Sequence, residues 1–191
     1  MSESIHANPK MLSSWKPRIS SEDIPFFHCS SCGKTVMGIN SESPAHYTGG
    51  SRDPMLVLPY MNWESPGSCC GKEMERLAPK SLSDLPDSIS AEYEITGGFG
   101  DNLLRFEWKS PEEDHPDWVA LKSFTGMQLK YLLPQQTPHF VFALTETDSY
   151  AYCAESPCLE CIFHCKRGNT LYAHSSKHGI VAIPIHENKP R

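Results

Sequence analysis

Eight cysteines are the side chains with the clearest chemistry in this sequence, and they fall into two sets of four. Cys29, Cys32, Cys69 and Cys70 come first; Cys153, Cys158, Cys161 and Cys165 follow after 82 cysteine-free residues. Cys29 and Cys32 stand in "CSSCG", the C-x-x-C-G form in which a tight turn points two sulfurs at one ion and a glycine lets amide groups approach them. Cys69 and Cys70 are adjacent, in "GSCCGKEM". Neighbouring cysteines are poorly placed to bridge each other, because a disulfide needs a longer Cα separation than one peptide bond provides. Their better use is as two ligands from one short piece of chain. With the earlier pair they make four thiolates for one tetrahedral ion, zinc or a single iron. Adjacent ligands lack the relaxed loop of a C-x-x-C knuckle, so the tetrahedron is expected to be distorted. His28 and His46 are not needed by a site that four thiolates complete, and read as surface or edge histidines.

The second set is denser. "YCAESPCLECIFHC" holds Cys153, Cys158, Cys161 and Cys165 within 13 residues, and its opening C-x4-C-x2-C shares a spacing with plant-type iron–sulfur ligation. The same four thiols could instead close a second tetrahedral zinc or iron site, or simply be small buried residues. Four in so short a stretch favour a metal. Nearby His164, His139 and His174 read as structural, as a histidine facing a β core usually is.

Composition bounds the setting. The formal net charge is −6 with an isoelectric point near 5.8, and no run of lysines and arginines appears, so nucleic acid is not an expected partner. No stretch of about 18 apolar residues exists, and "MSESIHANPKMLSSWKPRISSEDIP" lacks the basic-then-apolar layout of a secretory signal. The expectation is a cytoplasmic protein with no membrane contact. Thiols stay reduced there, which favours metal ligation over a disulfide framework.

The elements that must position these thiols follow from pattern. Residues 1–24 read as a flexible polar tail. Residues 25–80 form a cysteine module with a long inserted loop, and "APKSLSDLPDS" at 78–88 has the composition of a connection. Beyond it come short β-like runs at 91–95, 102–108, 117–124, 128–133, 139–144, 149–154 and 161–165, separated by turn residues such as Gly-Gly and Arg-Gly-Asn. The fold class is therefore mainly β, with a β-sandwich over residues 88–176. Residues 177–191 form a C-terminal tail in which "GIVAIP" gives one more edge strand, Pro184 being awkward in a central one. Trp108 and Trp118 are expected to fill the sandwich core. Glu112, Glu113 and Asp114 read as a solvated loop. There is no G-x-S-x-G, no G-x-x-x-x-G-K-[ST] and no H-E-x-x-H.

The pair "CSSCG" and "CCGKEM" resembles the desulforedoxin-type module, a rubredoxin-like knuckle found at the N-terminus of desulfoferrodoxins, where four cysteines hold one iron. This sequence departs from that pattern in the 36 residues between Cys32 and Cys69, about twice the family's spacing; closing a longer loop adds little entropy. Further along, "ITGGFGDNLLRFEW", "SPEEDHPDWVAL", "QLKYLLPQQTPHFVFALTETD" and "YAYC" resemble the immunoglobulin-like β-sandwich of superoxide reductase. The two resemblances span roughly residues 25–160. In that family four histidines and one axial cysteine hold a ferrous ion whose sixth position is open to superoxide. Carried over one at a time, those ligands match His115 and Cys153, as weak catalytic candidates. The other three positions fall near Ser110, near Ser90 or Ala91, and at Ser156.

The resemblance thus implies an iron-binding redox protein of the desulfoferrodoxin type, transferring electrons or responding to oxidants, with the superoxide-reducing site incomplete. A zinc-stabilised interaction module without redox turnover is the alternative, and a divergent superoxide reductase the third reading. A redox partner protein is implied, and so is a homodimer, because desulforedoxin-like modules often pair.

Overall fold

Alternation of buried and exposed residues organises most of the strands, and where alternation fails the reason is a second covered face. The computed structural model describes residues 24–38, 66–98, 102–123, 126–144, 166 and 169–185. In chain order the strands are β1 (Phe26–His28), β2 (Thr35–Met37), β3 (Ser68–Cys69), β4 (Lys72–Glu73), β5 (Glu75–Leu77), β6 (Ser90–Thr96), β7 (Leu103–Lys109), β8 (Trp118–Lys122), β9 (Met127–Tyr131), β10 (His139–Ala143), β11 (Thr170–Ser175) and β12 (Gly179–Pro184). Among the described residues the only helical pieces are two single 3-10 turns, Leu82–Asp84 and Glu112–Asp114. The fold is mainly β.

Two antiparallel sheets face each other. One has the order β10-β7-β6 and the other β12-β11-β8-β9. β7 reads "LLRFEWK" with Leu104, Phe106 and Trp108 buried and Arg105, Glu107 and Lys109 exposed. These inward residues meet Phe140 and Phe142 of β10, Val119 and Leu121 of β8, Leu171 and Ala173 of β11, and Val181 and Ile183 of β12. This is the sandwich core. At roughly 1.5–3 kcal/mol for each large apolar side chain removed from water, it is the main source of the fold's stability.

All five residues of β8 are buried, because its sheet is covered on both sides. Val119 and Leu121 face the core, while Trp118 and Ala120 face outward onto a second cluster with Tyr172, Ile180, Ile24 and Phe26. Trp118 therefore lies outside the sandwich core, contrary to the expectation for it. It packs against Phe26 at 5.9 Å between ring centroids and stacks on His174 at 5.1 Å and 4°. Phe26 also meets Tyr172 edge-on at 5.2 Å, a favoured aromatic geometry.

The cover is the cysteine module, whose sheet has the order β2-β1-β5. β1 divides its side chains between two clusters. Phe26 turns to the sandwich, and Phe27 packs with Cys29 and Met74 inside the module. The connection read at 78–88 is also tied down. Lys80 donates its N–H to the Ile180 carbonyl at 2.8 Å and accepts from Ala182 at 2.9 Å, while Leu85 and Ile89 enter the sandwich core. Apolar residues at those two positions are what turn a linker composition into packed chain.

β12 forms six residue pairs with β11 and stands at the sheet edge with Pro184 at its last position, the edge strand that "GIVAIP" gives within residues 177–191. β11, which the pattern does not announce, is a central strand between β12 and β8. At the opposite side, Gln128 of β9 hydrogen-bonds the backbone of Ala143 through both amide atoms (2.7 and 3.3 Å), and the Lys130 ammonium donates to the Val141 carbonyl. These side chains occupy the free backbone edge of β10, which would otherwise invite pairing with another chain.

Candidate metal centre

Two turns build the site. In the first, the Gly33 N–H donates to the Cys29 carbonyl at 2.8 Å and the Cys29 N–H to the Lys34 carbonyl at 2.9 Å, closing a tight loop after β1. Gly33 sits at φ +70°, where a side chain would be strained. In the second, β3 and β4 form a hairpin whose last paired residues are Cys69 and Lys72. Its two-residue loop is Cys70-Gly71, at φ +53° and +75°. Two consecutive positive φ values are the requirement of a type I′ hairpin turn. The doubled cysteine is thus one strand residue and one turn residue. The hairpin's reversal separates the two side chains enough for both to address one point.

The four sulfurs meet. Their Sγ atoms all lie within 4.8 Å of one another, with Cys32 to Cys69 at 3.7 Å and Cys69 to Cys70 at 3.9 Å. Four sulfurs at about 2.3 Å from a shared ion stand about 3.8 Å apart in a regular tetrahedron, so the donor set and its size fit one such ion. Among the described residues this is the only group of three or more His, Cys, Asp or Glu side chains converging in this way.

The four thiols are not equivalent. Cys29 is buried, 1% exposed, whereas Cys32 and Cys70 are exposed. Backbone N–H groups of Ser31 and then Cys32 point at the Cys29 sulfur and lower its pKa to about 6, outweighing the opposing effect of burial. Hydrogen bonds to the Cys32 and Cys69 sulfurs, with repulsion from the Cys29 thiolate, push Cys70 up to about 12. Cys69 is raised mainly by its bond to Cys32. Several thiolates at this distance repel, so a cation is what would let all four ionise together.

Met74, four residues after Cys70, closes the module core at 7% exposure, and its N–H donates to the Gly67 carbonyl at 3.0 Å. His28 lies on the central strand of the module sheet, half-buried, with its Nδ1 buried and unbonded. His46, His164 and the second cysteine set, Cys153, Cys158, Cys161 and Cys165, lie outside the described residues.

The other candidate region is at one end of the sandwich, where β7 ends and β6 begins. Ser110 Oγ stands 3.0 Å from His115 Nδ1, and the Trp108 indole N–H donates to Ser110 Oγ at 3.1 Å and to the Asp114 carbonyl at 3.2 Å. Ser90 pairs with Lys109 and Ala91 with Trp108 across the β6–β7 ladder. Three of the carried-over ligand positions are thus near neighbours, but their only imidazole is His115. Asp114 departs from the solvated-loop reading: it is buried and binds Lys177 at 2.6 Å and His178 at 3.2 Å. Its carboxyl is held below the usual carboxylate range, chiefly by the Lys177 bond. Asp117 accepts from His174 Nδ1 at 3.1 Å. The pattern had no signal for these pairs, because Lys177 and His178 come from the β11–β12 turn, the latter 64 residues from Asp114.

No family model matches this chain, and no curated protein matches its sequence. Among solved structures, the superoxide reductase from Treponema pallidum superposes with a TM-score of 0.47 and 17% sequence identity, over 84% of this chain and 98% of that one. No helix of the described residues is long and apolar enough to cross a membrane.

Proposed function

We propose that this chain is an iron-binding redox protein of the desulfoferrodoxin type, which passes single electrons or responds to oxidants in a reducing cytoplasm. The observation that carries the reading is the convergence of four sulfurs with two of them, Cys32 and Cys70, open to solvent. An iron bound there would supply a one-electron couple at the protein surface. The chain's own part is to fix the donors. Gly33 and the Cys70-Gly71 turn set the direction of the sulfurs, the Ser31 and Cys32 amides stabilise negative charge on Cys29, and Phe27 with Met74 excludes water from the inner side. N–H groups aimed at a ligand sulfur tune a redox potential as well as a pKa. Superoxide reduction at the sandwich end is not part of this reading, since Ser110 offers a hydroxyl to His115 where the family has a second imidazole.

Anaerobic purification followed by elemental analysis and visible spectroscopy tests the proposal. The expected result is about one iron per chain with visible sulfur-to-iron absorption that bleaches on reduction. A colourless chain carrying zinc would replace this reading with that of a zinc-stabilised interaction module.

A further inference from the structure

The four converging sulfurs differ in what surrounds them. Cys29 is the inner one: 1% exposed, it packs with Phe27 and Met74, and its Sγ lies 3.5 Å from the Cys69 carbonyl oxygen. Cys69 is half-buried, and Cys32 and Cys70 are exposed. Their neighbours Ser30, Ser31, Gly33 and Gly71 are exposed as well, and a side chain placed on Gly33 or Gly71 would meet nothing within 4 Å. No other part of the described chain roofs the two turns, so a small solute reaches the outer sulfurs directly.

Geometry separates the pairs that these thiols offer. Cys69 and Cys70 stand 3.9 Å apart but on adjacent residues, where one peptide bond holds the Cα atoms at about 3.8 Å, short of the usual span of a disulfide. A bond to Cys29 would draw that sulfur out of the module core. Cys32 remains, and the sulfur it touches is that of Cys69, at 3.7 Å and on the other turn.

We infer that Cys32 and Cys69 form a peroxide-sensitive disulfide pair, whose closure releases the ion and takes over its role as the tie between the two turns. The inference deepens the oxidant-response half of the reading above and rests on the same convergence of sulfurs, but it does not need the ion to be iron. The oxidant is a small uncharged peroxide, hydrogen peroxide being the simplest. The exposed Cys32 sulfur attacks one of its oxygens, the O–O bond breaks, and a sulfenic acid forms as the first water leaves. The Cys69 sulfur then attacks the Cys32 sulfur, forming the S–S bond and releasing the second water. Two electrons pass from two sulfurs to one peroxide, solvent supplies the two protons that the ionised ligands lack, and the ion departs with its charge unchanged. Cys29 and Cys70 are then the only ligands left, too few for a closed tetrahedral site. The new bond closes the 36-residue segment between the turns and restricts the unfolded chain, so the module stays assembled and a thiol reductant restores the site.

The test uses the full chain loaded with zinc, which has no redox chemistry of its own, and excess hydrogen peroxide. Zinc release is read with a chromophoric chelator, and the sulfurs are mapped by alkylation, proteolysis and tandem mass spectrometry. The expected result is loss of about one zinc per chain together with a disulfide between Cys32 and Cys69, both reversed by dithiothreitol and added zinc. Cys70→Ser is expected to keep the bond. Cys69→Ser is expected to lose it and to leave Cys32 as a sulfenic acid that dimedone captures. Release accompanied only by sulfinic acids, a bond made by Cys29 or Cys70 in place of this one, or zinc retained with all four sulfurs reduced overturns the inference. A Cys32–Cys69 bond in a chain that is isolated without iron would overturn the electron-transfer reading and leave this one standing; iron without the bond would do the reverse.

Discussion

The cysteine module and the β7 end of the sandwich both bring together positions that the sequence reading singled out, yet among the described residues only the first gathers metal-binding side chains. In the module each half-site is local: Cys29 and Cys32 share one turn, Cys69 and Cys70 share another, and the two hairpins need only be laid side by side. At the sandwich end the positions come from β6, β7 and the loop after it, and serines occupy them beside a lone His115. The polar atoms there satisfy one another, Trp108 to Ser110 and Ser110 to His115. Hydrogen bonds among these half-buried groups remove the penalty that unpaired polar atoms would carry, so the end of the sandwich is held without an ion.

The sharpest way to break this contrast is to remove one residue from each region. Cys29→Ser is expected to abolish tight metal retention after chelator dialysis, measured as metal per chain, whereas His115→Ala should leave the stoichiometry unchanged. Equal losses would show that the sandwich end also holds the ion. A second difference is in pH response. Metal binding must displace the protons that the raised pKa values keep on Cys69 and Cys70, while Cys29 is already a thiolate above about pH 6. Affinity in competition with a chelator should therefore rise with pH between 6 and 8, by more than about one decade per unit if two protons leave.

Smaller effects sharpen the comparison further. Met74→Ala leaves four sulfurs in place but opens the module core, and a loss of about 2–5 kcal/mol in denaturant unfolding is expected for a buried methionine truncated to alanine. The smallest effect belongs to Asp114. Its folded pKa lies below the ordinary value of 3.8 because Lys177 and His178 hold the charged form. The stability it contributes is complete above that ordinary value and disappears as pH falls through the folded one. Asp114→Asn should therefore be less stable than the parent at pH 7, with the gap closing below about pH 4; a gap that persists at pH 2 would count against the ion pair.

What the sequence revealed follows the same division. The residues that meet in the metal centre were marked by spacing and turn glycines, because a knuckle's ligands are set within a few residues. β6, β7 and β10 were legible because one face of their sheet is in solvent, which leaves the period of two intact. β11 was hidden. Its sheet is covered on both sides, so Tyr172 is buried along with Leu171 and Ala173, and His174 and Thr170 add polar residues to a covered face. The misplacement of Trp118 has the same origin: nothing local says that the outer face of β8 lies under the module. The Asp114–Lys177–His178 contacts join loops far apart in the chain and leave no periodic trace.

β1 is only three residues long, yet Phe26 anchors it to the sandwich and Phe27 to the knuckle. The Cys29 sulfur is thereby only a few residues along the chain from Phe26, which packs on Trp118 and Tyr172. Calorimetry of the intact chain should accordingly record a single cooperative melt whose midpoint follows metal loading, and the indole emission of Trp118 should report the state of a centre it does not touch.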